Sequence, residues 1–206
     1  MAFAALLGGV GGSAVQLTAL AFQVFLVTFT LLWVSTRYRG AVRALGIRSR
    51  RPTRDLALGA WFGAALFGVL VFVVRPAVVL AWQVVTGEAP PPIQQEVLPR
   101  TPDLVQVVLG VVAVVFAGPF GEELFFRGFL FGALRARLGL LPGVLLSAAV
   151  FGLFHFLGGP LLVALMFCFG IAVAVLFHRR GSLAAPVAAH ALFNLIGYTL
   201  IVVERV

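Results

Sequence analysis

Apolar runs that reach or approach the ~20 residues needed to cross a bilayer recur along this sequence, separated by short polar, glycine- or proline-containing breaks. A backbone in hydrocarbon must satisfy its own hydrogen bonds, which leaves a helical bundle or a closed barrel. The period-2 alternation of barrel strands is absent. Only 11% of the residues are charged and 62% are hydrophobic, whereas a soluble domain is about 25% charged. The expectation is an all-α, polytopic transmembrane bundle of about seven helices, with an active site buried between helices and no separate soluble domain.

The net charge of +8 invites a nucleic-acid reading. However, seven of the 15 Arg lie in one loop at 36–54, between apolar runs. Membrane topology accounts for that: loops rich in basic residues stay in the cytoplasm. No nucleic-acid partner is expected. Cys168 is the single cysteine, so it forms no internal disulfide and no C-x-x-C metal site; packing is its expected role. The first charge is Arg37. The N-terminal run thus lacks the basic start of a secretory signal and is expected to stay as a membrane helix.

Along the chain, residues 3–34 form the first apolar stretch, loosened at its start by Gly8, Gly9, Gly11 and Gly12. A second span runs from 56 to 74 and is expected to end at Arg75-Pro76, leaving 77–86 as an interfacial piece around Trp82. Residues 87–103, with Glu88, Glu96, Asp103 and three consecutive prolines, read as a polar loop on the far side. A short third span, 104–117, is expected to end at Gly118-Pro119, where a new helix opens and runs to Leu138. Helices at 142–157, 161–177 and 183–203 follow. Residues 1–100 then form the N-terminal membrane helices and 101–206 a catalytic core within one membrane-embedded unit.

Within this apolar background Glu122, Glu123 and Arg127 place three charges in six residues. Each would cost roughly 2.5–3.5 kcal/mol unpaired in a membrane, and intramembrane charges are functional by default. Glu123 and Arg127 are spaced four apart, in the better order for a helical ion pair. Glu122 points about 100° away and is free for chemistry. His155 lies in a later apolar helix, and His190 and Asn194 share a face of the last one. At 1.5 Å per residue, Glu122 lies about 24 Å from Leu138, and His155 about 21 Å from Leu141, so an antiparallel pair brings them to one depth. Convergence looks closer for Asn194 than for His190. This topology puts the Glu122/His155 end on the side of the 36–54 loop, opening to the cytoplasm with the N-terminus outside. Arg100, Arg135, Arg137, Arg179 and Arg180 then fall on the opposite side.

A carboxylate and an imidazole can share and activate a water molecule. Glu122 would sit in the first turn after Pro119, where the helix dipole favours its charge. His190 and Asn194 supply donors suited to an oxyanion. The chemistry that fits is peptide-bond hydrolysis without a Ser or Cys nucleophile. Glu122, His155 and His190 are also potential zinc ligands, although H-E-x-x-H is absent.

E-E-x-x-x-R (Glu122, Glu123, Arg127), F-x-x-x-H (Phe151, His155) and H-x-x-x-N (His190, Asn194) resemble the three motifs of the CPBP family. That family holds the type II CAAX prenyl endopeptidases and bacterial bacteriocin-processing or immunity proteins. The resemblance covers roughly residues 100–200. It implies a compact, multi-pass intramembrane endopeptidase of a bacterial cytoplasmic membrane. Its partners would be the bilayer and a small membrane-associated or lipidated peptide substrate. It implies water activation by Glu122 and His155, oxyanion stabilisation by His190 and Asn194, and no required metal. Two other classes share these features. One is a catalytically silent scaffold or immunity protein of the same fold. The other is a proton-coupled transporter, which predicts an inverted repeat not found here.

Overall fold

The computed structural model describes residues 13–37, 39–94 and 98–205. The glycines expected to loosen the N-terminus, and Glu96, lie outside those residues. Six principal helices make up the described chain: α1 (Ala14–Arg37), α2 (Pro52–Thr86), α3 (Leu104–Leu138), α4 (Leu140–Phe154), α5 (Pro160–Arg180) and α6 (Ala184–Arg205). Five are long and apolar enough to cross a membrane, and α4, with 15 residues, is shorter. The chain is a multi-pass, all-helical membrane protein. Large apolar side chains such as Trp61, Phe72 and Val85 are exposed around its outer surface, as lipid contact requires.

Both expected proline breaks are absent. α2 continues through Arg75-Pro76 and α3 through Gly118-Pro119, and the second continuity reduces the expected seven helices to six. The cause is the same in each. A proline inside an α-helix lacks the N–H and its ring clashes with the carbonyl four residues back. Here a π-helical stretch precedes each one, Leu70–Val74 before Pro76 and Val111–Ala117 before Pro119. The wider turn absorbs the clash without ending the helix. Residues 77–86 are therefore the last turns of α2, and Arg75 lies exposed on its side. A further π-helical stretch, Leu124–Phe131, follows the Glu pair, so Gly118–Glu123 is a short α-helical segment between two π turns. There is also no free helix N-terminus beside Glu122.

One reversal fewer inverts everything downstream. Arg180 pairs with Asp55 at the start of α2, and the Leu183 amide donates to the Gly46 carbonyl at 2.8 Å. Arg43, Arg135 and His178 border one cavity. Arg135, Arg137, Arg179 and Arg180 thus lie at the same end of the bundle as the 36–54 loop, not opposite it. At the other end, the Gln94 amide donates to the Gly158 carbonyl at 3.1 Å. Asp103 caps α3 there, accepting from the Gln106 amide at 2.8 Å while the Gln106 side chain accepts from the Asp103 amide. This concentration of Arg at one end follows the positive-inside rule more fully than the expected topology did.

Small residues set the packing that positions the site. Gly59 and Gly63 of α2 lie against Ala185 and Ala189 of α6, so close that a methyl group at either glycine would run into the alanine backbone. This is the small-xxx-small contact of membrane helices, where close approach supplies the van der Waals energy. Gly152 and Gly170 similarly let α4 and α5 approach. An aromatic core of Phe126, Phe151 and Phe169, each under 2% exposed, lies between α3, α4 and α5.

Candidate active site

The motif residues meet in and beside one cavity of about 360 Å³, bordered by Gln23 of α1, Gly118 and Glu122 of α3, His155 at the end of α4, and His190 and Asn194 of α6. Glu122 lies about 24 Å along α3 from its Arg-rich end, and His155, at the end of α4, about 22 Å from the same turn. The single glycine between these helices, Gly139 at φ 87°, makes the hairpin that matches their depths.

Glu122 and Glu123 are separated by their partners. The Glu123 carboxylate is fully buried, 3.1 Å from Arg127 Nε, and accepts from His190 Nδ1 at 2.8 Å. The Arg127 guanidinium lies 4.3 Å from the centre of the Phe151 ring, a cation–π contact inside the core. Glu122 instead faces the cavity. Its Oε1 accepts from Gln23 Nε2 at 3.2 Å, while its Oε2 is buried with no hydrogen-bond partner among the described residues. His190 Nε2 lies 4.0 Å from that oxygen. A buried carboxylate oxygen of this kind calls for a functional or solvent partner.

The histidines are held in defined orientations. His155 Nδ1 lies 2.9 Å from the Phe151 carbonyl, and since a carbonyl only accepts, Nδ1 carries the proton. In the neutral ring this leaves the lone pair on Nε2. His190 is clamped by Glu123 and packed edge-on against Phe169, 4.9 Å between ring centres. Asn194 donates through Nδ2 to the Val114 carbonyl at 2.9 Å, leaving its second amide hydrogen and Oδ1 uncommitted to that bond. The expected order of approach is reversed: His190 meets the carboxylates, and Asn194 lies a turn further along α6, tied to the first π stretch of α3.

The cavity runs away from the Arg-rich end. Its walls include Val15 and Ala19 in the first turns of α1, Ala113 in the first half of α3, Leu162 at the start of α5, and Tyr198 and Ile201 late in α6. All of these lie toward the end opposite the 36–54 loop. The expected opening toward that loop is thereby corrected, for the same reason as the Arg positions: α3 does not reverse at Pro119.

Fit to a zinc ion is poor as the side chains stand. Among the described residues no three His, Cys, Asp or Glu converge closely enough to hold a metal. The Nδ1 atoms of His155 and His190 are held by the Phe151 carbonyl and the Glu123 carboxylate, so Nε2 is the ring atom each could offer a metal. Gln23 is the site residue that sequence reading overlooked. The signal was present: Gln16, Gln23 and Thr30 recur every seventh residue in an apolar helix, a single face, and all three are buried.

Two comparisons with known proteins bear on the same region. Residues 104–196 match the family model described as type II CAAX prenyl endopeptidase Rce1-like. A Bacillus subtilis (strain 168) protein named "Putative membrane peptidase YdiL" is 33% identical over 94 residues, 45% of this chain and 37% of that one. This chain therefore spans well under half the length of that relative in the match. No solved structure matches. The matched region begins with the first residue of α3, includes all three motifs and ends two residues after Asn194. Through that region, the chain is similar to the type II CAAX prenyl endopeptidase Rce1-like family and to the Bacillus protein.

Proposed function

We propose that the protein is an intramembrane endopeptidase that hydrolyses a peptide bond with a water molecule activated by Glu122 and His155. The observation that carries this reading is the buried Glu122 carboxylate, whose Oε2 has no hydrogen bond among the described residues, in a cavity shared with His155 and His190. The family match and the name of the Bacillus relative support a peptidase.

In this mechanism the water oxygen attacks the amide carbonyl carbon while Glu122 takes its proton. His155 Nε2, left with a lone pair by the bond from Nδ1 to Phe151, orients the same water. Glu123 holds His190 through Nδ1. In this mechanism His190 Nε2 also carries a proton. The Nε2–H then becomes a donor to the oxyanion, together with the second amide hydrogen of Asn194. Collapse of the intermediate breaks the C–N bond. The proton held by Glu122 passes to the amine, which leaves a new carboxyl terminus and a new amino terminus. No metal takes part.

The cavity extends toward the bundle end opposite the Arg cluster. With the Arg-rich end in the cytoplasm, the substrate is a membrane-tethered or lipidated segment reached from the non-cytoplasmic half of the bilayer. The test is cleavage of lipid-tethered, quenched peptides by the purified chain in nanodiscs. Wild type should cleave, and His155→Ala should lower kcat by about 10²–10⁴-fold with unchanged thermal stability. Full activity of the variant would remove His155 from the mechanism. A folded wild type inert toward every membrane-tethered peptide would favour a silent scaffold.

A further inference from the structure

A second cavity, of about 860 Å³, lies at the Arg-rich end of the bundle, well apart from the Glu122 site. Its floor is organised. Asp55 is 3% exposed, accepts from Ser49 Oγ at 2.6 Å, and is paired with Arg180, whose Nε donates at 2.8 Å. Arg180 and Asp55 therefore neutralise each other. Around them stand Arg43, Arg48, Arg50, Arg51, Arg54 and Arg179, none with a carboxylate at ion-pair distance among the described residues. Like charges crowded around one hollow repel, and an anion placed among them reverses the sign of that energy.

Topology alone does not require this arrangement. The positive-inside rule needs basic residues near the cytoplasmic face, anywhere along the loop. Here the end of α5 is brought to the start of α2, across 125 residues of sequence, and fixed there by a part-buried ion pair. The cavity lies where α2 begins and α5 ends, and the ends of helices that cross a bilayer meet the headgroup level. Arg37, stacked 3.7 Å over Trp33 at the end of α1, marks that level on the same end. Guanidinium groups match phosphate oxygens in a two-pronged geometry that ammonium groups do not. Basic pockets between membrane helices on the cytoplasmic side take anionic headgroups.

We propose that this cavity binds the phosphate of an anionic glycerophospholipid from the cytoplasmic leaflet. The site is independent of the proteolytic reading, since it shares no residue with the Glu122 cavity.

Native mass spectrometry of the full chain, released from micelles doped with phosphatidylglycerol, cardiolipin or phosphatidylcholine, tests it directly. Wild type should retain the two anionic lipids about tenfold more tightly than phosphatidylcholine. The triple variant Arg50→Gln/Arg54→Gln/Arg179→Gln should lose about tenfold in that affinity. A charge-matched control at the same end, Arg37→Gln/Arg39→Gln/Arg137→Gln, should change by less than about threefold. Should the cavity triple fail to fold, Arg50→Lys/Arg54→Lys/Arg179→Lys keeps the charge, and a loss of about threefold or more through the missing fork supports the site. Equal losses in cavity and control variants, or none in either, would overturn the proposal. Millimolar inorganic phosphate is the separating arm. It should displace little lipid, whereas full displacement would make free phosphate the ligand and overturn the lipid assignment.

Discussion

His190 donates through Nδ1 to the Glu123 carboxylate, 2.8 Å away, and so the imidazole that faces Glu122 is aimed by the neighbouring acid. In the proposed mechanism, adjacent glutamates on one helix divide between holding the site and working in it. Glu123→Gln should keep the contact to His190 in shape but remove its charge. It should lower kcat by about 10–100-fold with little change in KM, the pattern of a lost positioning interaction. Steady-state kinetics on a membrane-tethered peptide would show it, and a change confined to KM would contradict the role.

Arg127 is 1% exposed and paired with Glu123. Removing one partner of a buried pair leaves an uncompensated charge, at a cost of about 3–5 kcal/mol. Glu123→Ala should therefore destabilise the bundle strongly. Glu123→Gln/Arg127→Met, which removes both charges with similar volumes, should recover most of the loss. Thermal unfolding in nanodiscs distinguishes the two. Equal stability of wild type and Glu123→Ala would show that the pair is not a structural one.

Gln23 reaches from α1 to Glu122 Oε1, leaving Oε2 to the cavity. Gln23→Leu has nearly the same volume and no donor. It should lower kcat by about tenfold, equivalent to one charge-assisted hydrogen bond of about 1.5 kcal/mol, while the folding midpoint stays near that of wild type. Loss of folding instead would reduce Gln23 to a packing residue.

Gly63 and Ala189 are in backbone contact one residue before His190. Gly63→Val should push α6 away from α2 and carry His190 from Glu123, with loss of both stability and activity. Gly68→Ala, on the same helix with nothing near the added methyl, should be silent. Parallel thermal unfolding and activity measurements on the two variants check this pair.

How far the sequence went, and where it stopped, can be traced to two prolines. The helical membrane bundle and the ion-pair spacing of Glu123 and Arg127 were readable from hydropathy and helical periodicity. The matched depth of Glu122 and His155 was readable too, because it depends only on the turn at Gly139 and not on anything upstream. Helix continuity at Pro76 and Pro119 was not. A π turn leaves no compositional mark, and proline in a helix interior ordinarily means a break. Reading Pro119 as a reversal flipped every later helix, and so assigned Arg135, Arg137, Arg179 and Arg180 to the wrong end and the cavity to the wrong face. The position of His190 against Glu123 depended on the close contact of Gly59 and Gly63 with Ala185 and Ala189. That contact is an i, i+4 pattern of small residues on two helices distant in sequence, whose pairing only the fold reveals.

The orientation has its own test. In a Cys168→Ala background, Arg39→Cys should be labelled by a membrane-impermeant thiol reagent only in inverted vesicles, and Glu88→Cys only in intact cells. Arg39 lies at the Arg-rich end and Glu88 at the other. The reverse pattern would place the mouth of the Glu122 cavity on the cytoplasmic side.

The most direct measurement of the central claim is the cleavage rate of Glu122→Gln beside wild type, each with and without a strong chelator. Wild-type cleavage should persist in chelator, and Glu122→Gln, folded to the same midpoint, should lose about 10³-fold or more in kcat. Wild-type cleavage abolished by chelator and restored by zinc would make Glu122 a metal ligand and contradict the metal-free mechanism. Cleavage by Glu122→Gln at the wild-type rate would contradict the assignment of the base itself.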